Sequence, residues 1–150
     1  MKRIALLLAV AACGSKSPPA QPEPPKKFED MNKEQRLQFM KEVVLPRTKA
    51  AFVEFDSKYE SMDCATCHGD GATDGTFDMP NPKLPVLPGS EEAFMAWIGQ
   101  DAEAARYTEF MFGTLEPLMG ELLQVKVFDP KTGTGDFSCD DCHTLTQESP

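Results

Sequence analysis

Two five-residue motifs constrain this chain more than anything else in it: Cys64-Ala65-Thr66-Cys67-His68 and Cys139-Asp140-Asp141-Cys142-His143. The chain has five cysteines and two histidines, and only Cys13 lies outside the motifs. Thiol–disulfide exchange would need such a motif at a helix start in a βαβ scaffold. Only seven residues follow His143, too few for that fold around the second motif. A zinc site built from both pairs would span 71 intervening residues and leave the adjoining histidines unexplained. Disulfides within each pair would close loops too short to stabilise much. The reading that uses every residue is covalent attachment of c-type haem. Two thiols at this spacing reach the vinyl groups on one edge of a porphyrin, and the next histidine ligates the iron. Cys64, Cys67, Cys139 and Cys142 are therefore expected to bind two haem c groups, with His68 and His143 as proximal ligands.

Self-comparison adds a repeat. Phe39-Met40 recurs as Phe110-Met111, Val44 as Leu115, Pro46 as Pro117 and Phe52 as Leu123, all at an offset of 71 residues. The motifs are offset by 75, so the second copy carries about four more residues between helix and motif. Asn32 and Gln35 form a capping-box pattern. Beyond it, Leu37, Met40, Val44, Ala51, Phe52 and Phe55 recur at helical spacing, predicting a helix over about 32–56 that Pro46 kinks. Ser90, Glu91 and Glu92 open a second helix carrying Phe94, Trp97 and Ile98. A third covers roughly 102–125. Residues 69–89, rich in glycine and proline, read as loop, and 129–135 as a turn. No strand alternation is present. The expected fold class is all-α, with two helix–loop–motif units packed around two covalently bound haems and a Gly/Pro-rich loop between them.

The first residues read as an export signal. Lys2 and Arg3 precede an apolar run that is too short to span a bilayer, over residues 4–12. Val10-Ala11-Ala12-Cys13 resembles a bacterial lipobox, which makes Cys13 the expected lipidation site and an acyl chain the membrane tether. The expected organisation is a signal peptide over 1–12, a lipidated, proline-rich linker over 13–30, and a dihaem domain over 31–150. The expected location is the cell envelope, on the periplasmic face of a membrane. The net charge is −9, and loss of Lys2 and Arg3 leaves 13 basic against 24 acidic residues, a net of −11. Such a surface repels nucleic acid and favours basic partners.

Both histidines are consumed as proximal ligands, so bis-histidine ligation within one chain is excluded. Methionine is the remaining sixth-ligand candidate, since a thioether is an established axial donor. Met119, on a helix upstream of Cys139, or Met111 would serve the second iron. The position matching Met119 in the first unit is Thr48, which leaves Met79 in its proline-bounded loop, Met40, or an open site for the first iron. Each of these methionines has core packing as its competing role.

The motifs and the helices before them resemble small multihaem cytochrome c lipoproteins and, more loosely, the repeat units of the photosynthetic reaction-centre cytochrome subunit. In that family a methionine-bearing helix precedes each Cys-x-x-Cys-His motif. The resemblance covers about half the chain and implies electron transfer. It departs in carrying fewer haems and in having only residues 144–150 after the second motif, which implies a more exposed haem edge there. Two functions follow as expectations: a membrane-tethered dihaem electron carrier serving redox partner proteins at the membrane surface, and, alternatively, a peroxidase-like haem enzyme or ligand sensor with one open iron.

Overall fold

In the computed structural model, which describes residues 26–147, the helices form where the capping chemistry permits. The expected signal peptide, Cys13 and the expected linker up to residue 25 lie outside the described residues. Asn32 accepts from the Gln35 N–H at 2.9 Å while Gln35 accepts from the Asn32 N–H at 3.1 Å, which opens α1 (Lys33–Phe39). A π-helical turn, Met40–Val44, joins α1 to α2 (Leu45–Phe55). After a 3₁₀ turn, Ser57–Ser61, the first motif forms α3 (Cys64–His68), followed by the single turn α4 (Gly71–Asp74). Ser90 caps α5 (Glu91–Gln100) and Asp101 caps α6 (Ala102–Phe110). A second π-helical turn, Met111–Leu115, leads into α7 (Glu116–Leu123), and the second motif begins in a 3₁₀ turn, Cys139–Asp141. The described residues hold three isolated β-bridges and no strand, so the architecture is mostly helical, as an all-α class requires. No helix among them is long and apolar enough to cross a membrane.

The repeat is visible in the backbone. Met40–Val44 and Met111–Leu115 are the same residues of the two copies, 71 apart, and both turn π-helical. The cause is the proline just beyond each turn. Pro46 and Pro117 have no N–H, and in an α-helix their rings would collide with the carbonyl four residues back. Widening by one residue relieves this: Leu45 N–H bonds to Met40 O and Glu116 N–H to Met111 O. At Pro46, where a kink is expected, the helix stays continuous through a widened turn, its flanking residues keeping right-handed helical dihedrals. The loop expected over 69–89 is also interrupted, by α4.

The two long helical runs cross antiparallel. Phe110 packs on Phe52 and stacks on Phe55, with ring centroids 4.9 and 4.3 Å apart, and Arg47 pairs with Glu121 at 3.0 Å. The first π turn packs against α7 and the second against α2. That contact is reciprocal, so the two copies are related as by a two-fold axis. Tyr59 and Tyr107 close one end through a hydroxyl–hydroxyl bond of 3.0 Å. The buried core is small: Phe52, Met62 and Phe110 form one cluster. No side chain among the described residues is buried to below 2% exposure, while Phe112 and Met95 stay 49% and 58% exposed. A helical domain of this size with so little enclosed apolar surface has its stability concentrated in few side chains.

Phe110→Ala should therefore cost roughly 3–5 kcal/mol of unfolding free energy, whereas Met95→Ala should stay within about 0.5 kcal/mol of the parent. Chemical denaturation followed by circular dichroism checks both.

Candidate functional site

Both cysteine motifs are opened by the same local chemistry. Asp63 accepts from the Ala65 N–H at 2.9 Å, and its own N–H donates to Thr66 Oγ1 at 3.2 Å. Seventy-five residues on, the Ser138 N–H donates to Asp141 Oδ2 at 2.7 Å, and the Ser138 hydroxyl donates to Asp140. These bonds fix the first turn of each motif, and none of the four motif cysteines is joined in a disulfide. The motifs differ afterwards. His68 ends α3, with Gly69 following at φ +55°, a conformation that favours glycine; a Cβ there would also meet Asn81 Oδ1 at 2.6 Å. The second motif makes only a 3₁₀ turn before His143.

The motifs converge on a half-open cleft of about 240 Å³. Cys139, Cys142 and His143 line it from the second motif, and Cys67 and Thr66 from the first. Aromatic and aliphatic walls come from Phe94 and Trp97 on α5 and from Phe112 and Leu115 in the second π turn. Leu84, Pro85 and Leu87 close it from the loop. Three of the four candidate methionines are brought here: Met111 from the second π turn, Met119 from α7 and Met79 from the loop. Met111 also packs against the Phe52 cluster. Met40 sits half-buried in the first π turn and does not line the cleft, nor do Cys64 and His68. Thr48, in the position equivalent to Met119, is buried and bonds back to the Val44 carbonyl at 2.9 Å. The two units are thus unlike at this position, a thioether at the cleft in one and a buried hydroxyl in the other.

The imidazoles are held differently. His143 Nδ1 lies 2.8 Å from the Pro85 carbonyl. A carbonyl only accepts, so Nδ1 carries the proton and Nε2 keeps its lone pair for a metal. His68 Nδ1 is buried and has no hydrogen-bond partner among the described residues. Burial pushes the His68 pKa down, and the backbone of Phe77, close by but outside hydrogen-bond geometry, partly offsets this. The result favours a neutral ring, the form that ligates a metal. The Phe77 ring stands edge-on to His68 at 5.4 Å, and its backbone is held at φ +55°, rare for a bulky residue.

Desolvation governs the thiols. Burial pushes Cys67 up to about 11, with Cys64 adding to the rise, and pushes Cys142 up to about 12, with Cys67 and then Asp141 contributing. Burial likewise raises Cys139, helped by Glu116. The Glu116 carboxyl faces the same cleft and is itself raised by burial. Thiols so placed stay uncharged at neutral pH and suit conversion to uncharged thioethers. Among the described residues no three His, Cys, Asp or Glu side chains are gathered as a bare metal ion would need. A chromophore held through paired thiols, an apolar wall and a separate imidazole fits what is present: half-buried thiols raised by desolvation, an oriented His143, and a His68 ring nitrogen that none of the described residues satisfies.

Sequence reasoning did not find two residues of the site. Glu116 is one acid among many in an acidic chain, and only the fold carries it to the cleft. Asn81 is 3% exposed and bonds to both motifs, yet in the sequence it is merely the residue between Pro80 and Pro82.

Alkylation of the haem-free thiol form should report this environment. Cys67 and Cys142 should react slowly near pH 8 and accelerate as pH rises toward about 11 and about 12, because only the thiolate attacks. In denaturant both should follow the ordinary thiol value of 9.0. Mass spectrometry of iodoacetamide-treated protein across pH measures each rate.

Compared with protein-family models, curated proteins and solved structures, the chain matches none of them.

Proposed function

We propose that this chain is a dihaem c-type cytochrome that transfers electrons at a cell-envelope membrane. The observation that carries the reading is the convergence of both Cys-x-x-Cys-His motifs on one apolar cleft, where His143 is held as its Nδ1–H tautomer by the Pro85 carbonyl. Haem, when bound, supplies a one-electron iron couple. The chain's own residues would do the rest. Cys64 and Cys67, then Cys139 and Cys142, hold the groups; His68 and His143 present the proximal nitrogens. Phe94, Trp97 and Phe112 would give the bound group an apolar wall, which lowers the local polarity and so tunes the potential. Met119 has the best claim as sixth ligand of the second iron, because it lines the cleft from a helix beside the second motif. Met79, in its proline-bounded loop, is the candidate for the first iron, with Met40 as the alternative, since Thr48 is bonded into its own helix.

The N-terminal lipobox pattern at Cys13 supports a tethered protein, confined to the membrane surface with its redox partners. The acidic net charge would steer a basic partner weakly and reversibly. A second reading, a ligand-binding or peroxidase-like haem at the first motif, is favoured by one observation: buried Thr48 stands where the second unit has Met119.

A pyridine haemochrome assay on protein made with a haem-attachment system should find two covalent haems per chain, and one after Cys139→Ser/Cys142→Ser. Fewer than two in the parent would overturn the proposal. Carbon monoxide separates the two readings: two unreactive low-spin haems mark a carrier, and rapid binding at one iron marks the alternative.

Replacing Met119 with Ala should lower the potential of one haem, within the range of about 0.8 V over which axial ligands act, and should open that iron to carbon monoxide. Redox titration and visible spectra check this.

A further inference from the structure

Asn81 uses every polar atom it has. Its side-chain Nδ2 donates to the Cys67 carbonyl at 2.9 Å, and its backbone N–H donates to the Cys142 carbonyl at 3.2 Å. Its Oδ1 accepts from the Lys83 N–H at 2.9 Å, and its own carbonyl accepts from the Leu84 N–H at 3.1 Å. Cys67 and Cys142 are the same residue of the two motifs, 75 positions apart, so one residue grips equivalent points of both copies. Asn81 is 3% exposed, and Gly69 lies so close that any Cβ there would strike its side chain. A buried polar residue with a partner for each of its polar atoms specifies one arrangement, because a shift strands a donor or an acceptor.

The surrounding loop reinforces the second half of this grip. Leu87 N–H bonds to the Thr144 carbonyl at 3.0 Å, and Thr146 N–H returns to the Leu87 carbonyl at 2.8 Å. The second motif is thus strapped to the loop through several backbone bonds. The first motif's tie from Asn81 is a side-chain bond. Proximity has a separate sign: the Cys67 thiol contributes to the raised pKa of Cys142.

We infer that Asn81 is a positioning residue that fixes the two haem attachment sites against each other and thereby sets the electronic coupling between the haems. This rests on the dihaem reading above. The asymmetry of the grip makes it testable. Removing the Asn81 side chain frees the Cys67 carbonyl, while the backbone bond to Cys142 survives. Asn81→Asp keeps an acceptor for the Lys83 N–H but turns an oxygen toward the Cys67 carbonyl, so it breaks the same tie without changing size. Lys83→Ala removes only an exposed side chain paired with Asp70 and serves as the control.

Two chromophores held close at a fixed angle give paired positive and negative Soret bands in circular dichroism. Full-length protein, Asn81→Ala, Asn81→Asp and Lys83→Ala would be purified and the covalent haems per chain counted after denaturation. The parent and Lys83→Ala should show two haems and a paired Soret signal of equal amplitude. Both Asn81 variants should keep two haems while the paired signal falls to about half or less, because a site loosened by about 1 Å loses its set geometry. If Asn81→Ala fails to accumulate, the isosteric Asp variant carries the comparison. Two haems with an unchanged paired signal in the Asn81 variants would overturn the inference, as would a parent with two haems and no paired signal. A parent with fewer than two haems would overturn the dihaem reading itself, and the inference with it.

Discussion

The antiparallel crossing of the two helical repeats is the contact on which the rest of this structure depends. Phe52, Phe55 and Phe110 make the crossing, and the π turns ahead of Pro46 and Pro117 let each helix run through its proline without losing register. A sharp kink at either proline would redirect the second half of its helix and pull apart the reciprocal contact. The widened turn also sets which residues face outward. In the second copy Met111, Phe112 and Leu115 line the cleft, while in the first copy Val44 is buried. One sequence repeat thus yields two different surroundings, because each π turn meets a different neighbour beyond its partner helix.

The cleft follows from that crossing. Few side chains are well buried and several large apolar ones remain exposed, so the chain leaves apolar surface along one side of the helix pair. The motifs border that surface with neutral thiols and one imidazole of defined tautomer. On the proposed reading, porphyrin supplies the apolar mass that the core lacks. The same desolvation that raises the thiols raises Glu116, which places a carboxyl of reduced acidity beside the second motif. The two motifs are chemically alike and physically unequal: His143 has its backbone acceptor, and His68 relies on burial and the edge of Phe77.

Much of the helical framework was legible in the sequence because it rests on local chemistry. The Asn32–Gln35 capping box, the Ser90 cap and the helical extents near 32–56 and 102–125 appear close to where spacing and caps put them. At Pro46 the sequence shows a missing N–H but not the wider turn that accommodates it. The single turn α4 was hidden by the glycines around it. Of the candidate ligands, Met79, Met111 and Met119 reach one cleft and Met40 does not, although repeat position makes Met40 and Met111 equivalent. Asn81 and Glu116 had no signal at all, since their importance is a matter of what lies across from them.

By itself the sequence determined which thiols and imidazoles are at hand and how they are spaced: residue types within five positions are covalent facts that no fold can alter. It also determined the repeat and the helix starts, because caps and periodicity act over a single turn. Only the tertiary structure decided that the two motifs share a cleft, that Thr48 and Met119 have different surroundings, and that Asn81 grips both motifs. Those outcomes depend on contacts between residues far apart in the chain. Such contacts are chosen by packing and by the need to satisfy every buried donor and acceptor.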